Sequence, residues 1–253
     1  SSAASDVYKR QGGKLNSFIS WVGGKKALRK TIYGMMPAKY DRYIEVFGGG
    51  GWVLFGKEPD KGVMEVFNDY NADLINLYRC VKNRTWELLQ VLGFLPLNSR
   101  DEFMEIKSFL EMGECGRKQV AEELELAFHN LPPAEFEEMQ GLLQGKAVAE
   151  DVRRAAAFYK IIRYSYGSGC TSYSCQPFDV RKVFSLIREA AERLADTVIE
   201  NKDFEALIRQ YDREGAFFYC DPPYYMTEDY YEVSFPEQDL SLIHISEPTR
   251  LRC

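Results

Sequence analysis

Short apolar runs and longer helical repeats alternate along the chain. Tyr43-Ile-Glu-Val-Phe47 and Gly62-Val-Met-Glu-Val-Phe67 are nearly continuous runs of strand length, and they flank the glycines Gly48 to Gly51. Run, glycines, run is the order in which a βαβ unit opens. A helix is predicted after Gly24, and another over Ala72 to Val81, where Leu74, Leu77, Tyr78 and Val81 recur at helical spacing. Asn68 to Ala72 makes the bend between strand and helix.

From about Asn83 to Lys160 the pattern changes to charged segments of helical period, such as Thr85 to Leu92 and Arg117 to Phe128, broken at Pro96 and at Pro132-Pro133. This stretch is expected to be a helical insertion in an α/β domain. After Phe178-Asp-Val-Arg a long amphipathic helix should reach Leu194, followed by a strand at Thr197 to Glu200 and a helix from Phe204 to Tyr211. Ala216-Phe-Phe-Tyr-Cys220 is expected as a strand buried on both faces, stopping at Asp221-Pro-Pro-Tyr224. No internal repeat interrupts this order.

Composition narrows the class. With 253 residues, 45% hydrophobic and 28% charged, the chain is long enough to bury a large core, and no run approaches a membrane span. The net charge of -6 means that nucleic acid could bind only at a local basic face. Cys80, Cys115, Cys170, Cys175, Cys220 and Cys253 form no Cys-x-x-Cys pair, which fits neither a disulfide framework nor a zinc site, and His129, Cys170 and Cys175 lack a fourth ligand. No metal is expected, and the compartment expected is a reducing cytoplasm.

The two ends are read apart from the rest. Asp6-Val-Tyr-Lys-Arg-Gln11 and Leu240-Ser-Leu-Ile-His-Ile245 can be encoded by reverse-complementary DNA, and the second runs on into Ser246-Glu-Pro-Thr-Arg250 like a translated sequencing-library adapter. Residues 1–11 and 240–253 are therefore expected to be non-native tails, with the gene truncated at its 3′ end. Setting the tails aside leaves the rest two charges more negative. The expected divisions are 12–82 for cofactor binding, 83–160 for the insertion and 161–239 for the remainder of the catalytic domain.

The sharpest chemical signal is Phe218-Tyr-Cys-Asp221-Pro-Pro-Tyr-Tyr225. Ligands of open α/β sheets sit beyond the carboxyl ends of the strands. Two prolines fix φ and remove two donors, so the corner presents the Asp221 carboxylate and the Pro222 carbonyl as acceptors beside the flat face of Tyr224. An aromatic amine, planar and donating, suits that arrangement.

Asp221-Pro-Pro-Tyr224 after an aromatic strand resembles motif IV of amino-group DNA methyltransferases, and the other motifs fall in the order of the Dam-like, D12-class adenine-N6 enzymes. Trp21-Val-Gly-Gly-Lys25 resembles the family's W-A-G-G-K, Tyr43 to Gly51 its Y-x-E-P-F-x-G-G-G loop, and Asn68 to Tyr78 its N-D-x-N-x-x-L-I-x-x-Y segment. Val46 replaces the family's proline, and Trp52 stands where a small residue is usual, which narrows the expected cofactor pocket.

The resemblance implies a Rossmann-like methyltransferase sheet with a helical target-recognition insertion, S-adenosylmethionine as cofactor, and a flipped adenine of double-stranded DNA as substrate, in a monomeric chain. Asp221, Pro222, Pro223 and Tyr224 would form the catalytic corner. Trp21, Gly24, Lys25, Glu45, Phe47, Gly49, Gly50, Asp69, Asp203 and Phe204 would hold the cofactor: Lys25 its carboxylate, Glu45 its amine, Asp69 the ribose, Asp203 and Phe204 the adenine. The glycines are expected to let the backbone approach the ligand, since a Cβ there would occupy its volume. DNA contact is expected from Arg153, Arg154, Arg163, Tyr166 and Tyr173. Rival readings are methylation of cytosine N4, of RNA or of a protein amide, and a catalytically silent nucleic-acid-binding module.

Overall fold

The computed structural model describes residues 15–93, 99–112, 115–175 and 180–222. The strands are β1 (Arg42–Glu45), β2 (Met64–Asn68), β3 (Val198–Glu200) and β4 (Ala216–Tyr219), all parallel in the order β3-β2-β1-β4. The helices are α1 (Arg29–Met35), α2 (Trp52–Gly56), α3 (Ala72–Asn83), α4 (Thr85–Leu92), α5 (Arg100–Glu111), α6 (Cys115–Asn130), α7 (Pro133–Tyr164), α8 (Val180–Leu194) and α9 (Phe204–Tyr211). This is the expected α/β architecture, and it is Rossmann-like: β2 and β3 extend from one side of β1 while β4 lies on the other, so the order reverses at β1.

Successive residues of β1 supply opposite layers. Tyr43 joins the larger core with Phe67 of β2 and buried residues of α3, α4, α7 and α8, whereas Ile44 and Val46 join Val66 and the α9 residues Phe204, Leu207 and Tyr211. Helices therefore cover both sheet faces, as parallel strands require. Val183, Ile187, Ala190 and Leu194 give α8 its buried stripe. The α6 and α7 helices are separated at Pro132-Pro133 because Pro133 occupies the first helical position, where no amide is needed.

The structure departs from expectation in two places. β4 is half-buried rather than buried, because it is the edge of the described sheet, although Phe217 packs on one core and Phe218 on the other. Nor does α7 stop at the insertion. Its last turns carry Val152, Ala155, Ala156, Phe158, Tyr159 and Ile162 into the main core, so the helical segment is anchored in the domain it interrupts. No described helix is long and apolar enough to cross a membrane.

A buried ion cluster locks the sheet to its helices. Arg193 of α8 donates to both carboxylate oxygens of Glu65 on β2, at 2.6 and 3.0 Å, and to the Leu54 carbonyl of α2 at 2.9 Å. Lys57 adds a 2.9 Å contact to the same carboxylate. The paired charges satisfy one another where solvent cannot.

Candidate active site

Because all four strands run the same way, their carboxyl ends deliver Glu45, Asn68-Asp69, Glu200 to Asp203 and Tyr219 to Asp221 to one edge of the sheet. A cleft of about 320 Å3 opens there, against the point where the strand order reverses. The expected residues Trp21, Gly24, Lys25, Glu45, Phe47, Gly49, Gly50, Asp69, Asp203, Phe204, Asp221 and Pro222 all line it. Pro223 and Tyr224 lie outside the described residues, as do the two terminal tails.

The glycine loop is held from both sides. Asp69 accepts the Gly49 amide at 2.9 Å and the Asn71 amide at 2.9 Å, and the Tyr78 hydroxyl donates to the Gly49 carbonyl at 3.1 Å. The helix α3 is capped by Asn71, which accepts from Leu74, so Asp69 keeps its remaining acceptor capacity toward the cleft. Burial pushes the Asp69 carboxyl above its usual range, against the three backbone amides that stabilise its charge.

The glycines also make room within the fold itself. A Cβ on Gly48 would fall 2.3 Å from the Phe67 ring, on Gly49 2.8 Å from Trp21, on Gly50 3.0 Å from Trp21, and on Gly51 2.8 Å from the Tyr78 hydroxyl. The loop is thin to admit the protein's own aromatic rings, and Gly49 and Gly51 also adopt positive φ.

Glu45 ends β1 and is almost fully buried, with the Tyr43 hydroxyl donating to it at 2.8 Å. Desolvation drives its pKa to about 8, opposed by the Tyr43 and Leu54 donors and reinforced by the negative charge of Asp221. Across the cleft, the Lys25 ammonium lies 2.7 Å from Asp221 Oδ2 and donates to the Gly23 carbonyl at 2.9 Å. At the far end Phe204 packs against Phe47 with ring centroids 5.9 Å apart, and Asp203 caps α9 by accepting from Glu205.

Several residues of the site escaped the sequence reading. Asn68 donates to the carbonyls of Val46 and Lys202 and accepts from the Lys202 amide, stitching β1, β2 and the approach to α9 together. Phe158 reaches the cleft from α7, a helix assigned to the insertion by pattern. Ser168, Gly169 and Cys170 line the cleft from a closed loop in which Gly167, Ser168 and Cys170 all take left-handed φ. Asn68 stood inside the motif Asn68 to Tyr78, and Ser168 to Cys170 inside the stretch from Arg163 to Tyr173 read as a DNA contact, whereas no sequence signal marked Phe158.

Two lysines, four carboxyl side chains and an aromatic pair around one cleft can hold a ligand that carries both charges and hydroxyls beside a flat ring. The comparison with known families settles what kind of chain this is. The model of the D12 class N6 adenine-specific DNA methyltransferases matches residues 21–249. The chain belongs to that family. Among curated relatives it is 27% identical over 222 residues to the type II methyltransferase M1.LlaDCHI of Lactococcus lactis subsp. cremoris, covering 83% of this chain and 66% of that protein. It is 26% identical over 219 residues to the DNA adenine methylase of Salmonella typhi, with the same coverage, and 26% over 223 residues to the DNA N-6-adenine-methyltransferase of Escherichia phage P1, of which 24% is covered. The chain thus spans slightly less than two thirds of the Lactococcus and Salmonella proteins.

In this D12-class chain the five residues expected to meet DNA do not share one environment. Arg154 is taken up within the fold, paired with Asp73 of α3 and donating at 2.8 Å to the Leu110 carbonyl of α5, so it clamps three helices instead of facing phosphate. Arg163 is half-buried against a second cavity. Tyr173 rests edge-on against Phe103, 5.6 Å between centroids, and pairs with Ser165. Arg153 is exposed over the Phe109 ring at 4.5 Å, and Tyr166 is exposed on the loop that enters the cleft.

Proposed function

We propose that this chain transfers a methyl group from S-adenosylmethionine to the exocyclic N6 of adenine in double-stranded DNA. One observation carries the reading: Asp221, at the end of β4, shares a cleft with Lys25, Glu45 and Asp69 at the reversal point of a parallel sheet, in a chain of the D12 class. Relatives named DNA adenine methylase support the choice of base.

When bound, the cofactor supplies an electrophilic methyl group on a sulfonium, which needs neither a metal nor a covalent enzyme intermediate. Lys25 pairs with the cofactor's carboxylate and Glu45 with its amine. Asp69 would accept from the ribose hydroxyls, and Asp203 and Phe204 would meet the adenine ring. Asp221 and the Pro222 carbonyl accept the two N6 hydrogens of the target, drawing its lone pair out of the ring. They would stabilise the positive charge that develops on N6 as it takes the methyl group, and the proton that N6 then gives up would pass by way of the Asp221 carboxylate to solvent. Preorganised groups of this kind contribute about 3 kcal/mol each. Extruding the adenine costs a few kcal/mol, which stacking on Tyr224 offsets by about 1 to 3 kcal/mol.

The test is transfer from a tritiated donor to unmethylated duplex DNA followed by nucleoside analysis. Label in N6-methyladenine is the expected result. Label in N4-methylcytosine, or none from a chain shown to bind cofactor, would count against the reading.

A further inference from the structure

Trp52 begins α2 directly after the glycine loop, and it is the residue common to two cavities. One is the cleft described above. The other, about 370 Å3, is bounded by Phe18, Tyr159, Ile162, Arg163 and Leu186 behind it. The edge of the indole fills the space where a neighbour would otherwise have a side chain: its Nε1 and Cδ1 lie 2.7 and 2.9 Å from the position of a Cβ on Gly24, and 3.1 Å from that on Gly50. The Lys26 ammonium and the Arg29 guanidinium stand over the ring, 5.3 and 5.6 Å from its centroid, where its face attracts a cation. Gly24 adjoins Lys25 in the chain, and both line the cleft together with Trp52.

We propose that the Trp52 indole is the partition that closes the cofactor cleft at its amino-acid end, and that its removal joins the cleft to the second cavity. The joined space takes an aromatic extension on the cofactor's amino-acid nitrogen. The inference rests on the cofactor reading above. Trp52 acts as a size filter here and takes no part in methyl transfer.

The probes are S-adenosylhomocysteine and the same molecule benzylated on its amino-acid nitrogen, with affinities measured by calorimetry on the full chain. The native chain should bind the benzylated probe at least about a hundredfold more weakly than the parent, and Trp52→Ala should bring the two within about tenfold. Adding Leu186→Trp, which fills the second cavity, should restore the discrimination. Equal binding of both probes by the native chain would overturn the proposal, as would a Trp52→Ala chain that binds the parent but still refuses the benzylated probe. An unchanged gain after Leu186→Trp would send the extension to solvent and overturn it too. If Trp52→Ala does not fold, Trp52→Leu replaces it; failure of both to fold would make the ring a core residue and not a partition. Failure of the native chain to bind the parent probe would instead overturn the cofactor reading itself.

Discussion

Lys25 and Asp221 meet across the cleft at 2.7 Å, although one comes from the segment before β1 and the other from the end of β4. In the proposed reaction they have different partners, a cofactor carboxylate for the lysine and an adenine amine for the aspartate. Without those ligands each satisfies the other, which keeps two partly buried charges compensated. A carboxylate arriving at Lys25 competes with Asp221 and leaves that side chain free to accept from the base.

Lys25→Gln should therefore raise the dissociation constant for S-adenosylhomocysteine about tenfold to a hundredfold, the range of one charged hydrogen bond. Calorimetric titration reads it directly. An unchanged affinity would remove Lys25 from the cofactor site.

Glu45 makes cofactor binding depend on pH. Its folded-state pKa of about 8 means that it holds a proton at neutral pH, and an ammonium placed beside it favours the charged form. Binding should release a proton between the lowered bound value and about 8, so affinity rises with pH up to that point, by at most about tenfold per unit. Folding stability runs the other way: a carboxyl raised from 4.5 to about 8 loses its contribution as pH climbs through that window. Glu45→Gln should flatten both profiles, as titrations in buffers of different ionisation enthalpy and thermal melts across pH will reveal.

Arg193 is the electrostatic keystone of the core. Arg193→Leu leaves the buried Glu65 carboxylate to Lys57 and should cost about 3 kcal/mol of stability, seen as a fall in the urea midpoint. Replacing Glu65 by Gln in the same chain should recover part of the loss.

The paired arginines of α7 should separate cleanly. Arg154→Ala breaks the clamp to Asp73 and Leu110 and should destabilise the fold by about 2 kcal/mol. Arg153→Ala, on the exposed side, should change stability by less than about 0.5 kcal/mol and weaken DNA binding in a salt-dependent way. Equal effects on stability would refute the division.

The sequence was most informative where one physical requirement governs a stretch of chain. Leu74, Leu77, Tyr78 and Val81 must face one core, so their spacing announced α3; Pro132-Pro133 must interrupt a helix, so the boundary between α6 and α7 was visible too. Family motifs placed Lys25, Glu45, Asp69 and Asp221 in one site, because residues so far apart in sequence share no local pattern. What stayed hidden depended on tertiary partners. Arginine at position 154 looks the same in sequence whether it meets phosphate or Asp73, and Gly48 to Gly51 do not disclose that the rings crowding them are the protein's own. The continuation of α7 into the core was masked by its charged first half.

The account stands or falls on Asp221. Single-turnover methyl transfer to duplex DNA should be compared for the native chain and Asp221→Ala, with S-adenosylhomocysteine affinity measured on the same samples. Transfer should fall by about a hundredfold to a thousandfold or more while cofactor affinity stays within about tenfold. Near-native transfer by Asp221→Ala would contradict the claim that this carboxylate holds the amine at the moment of reaction.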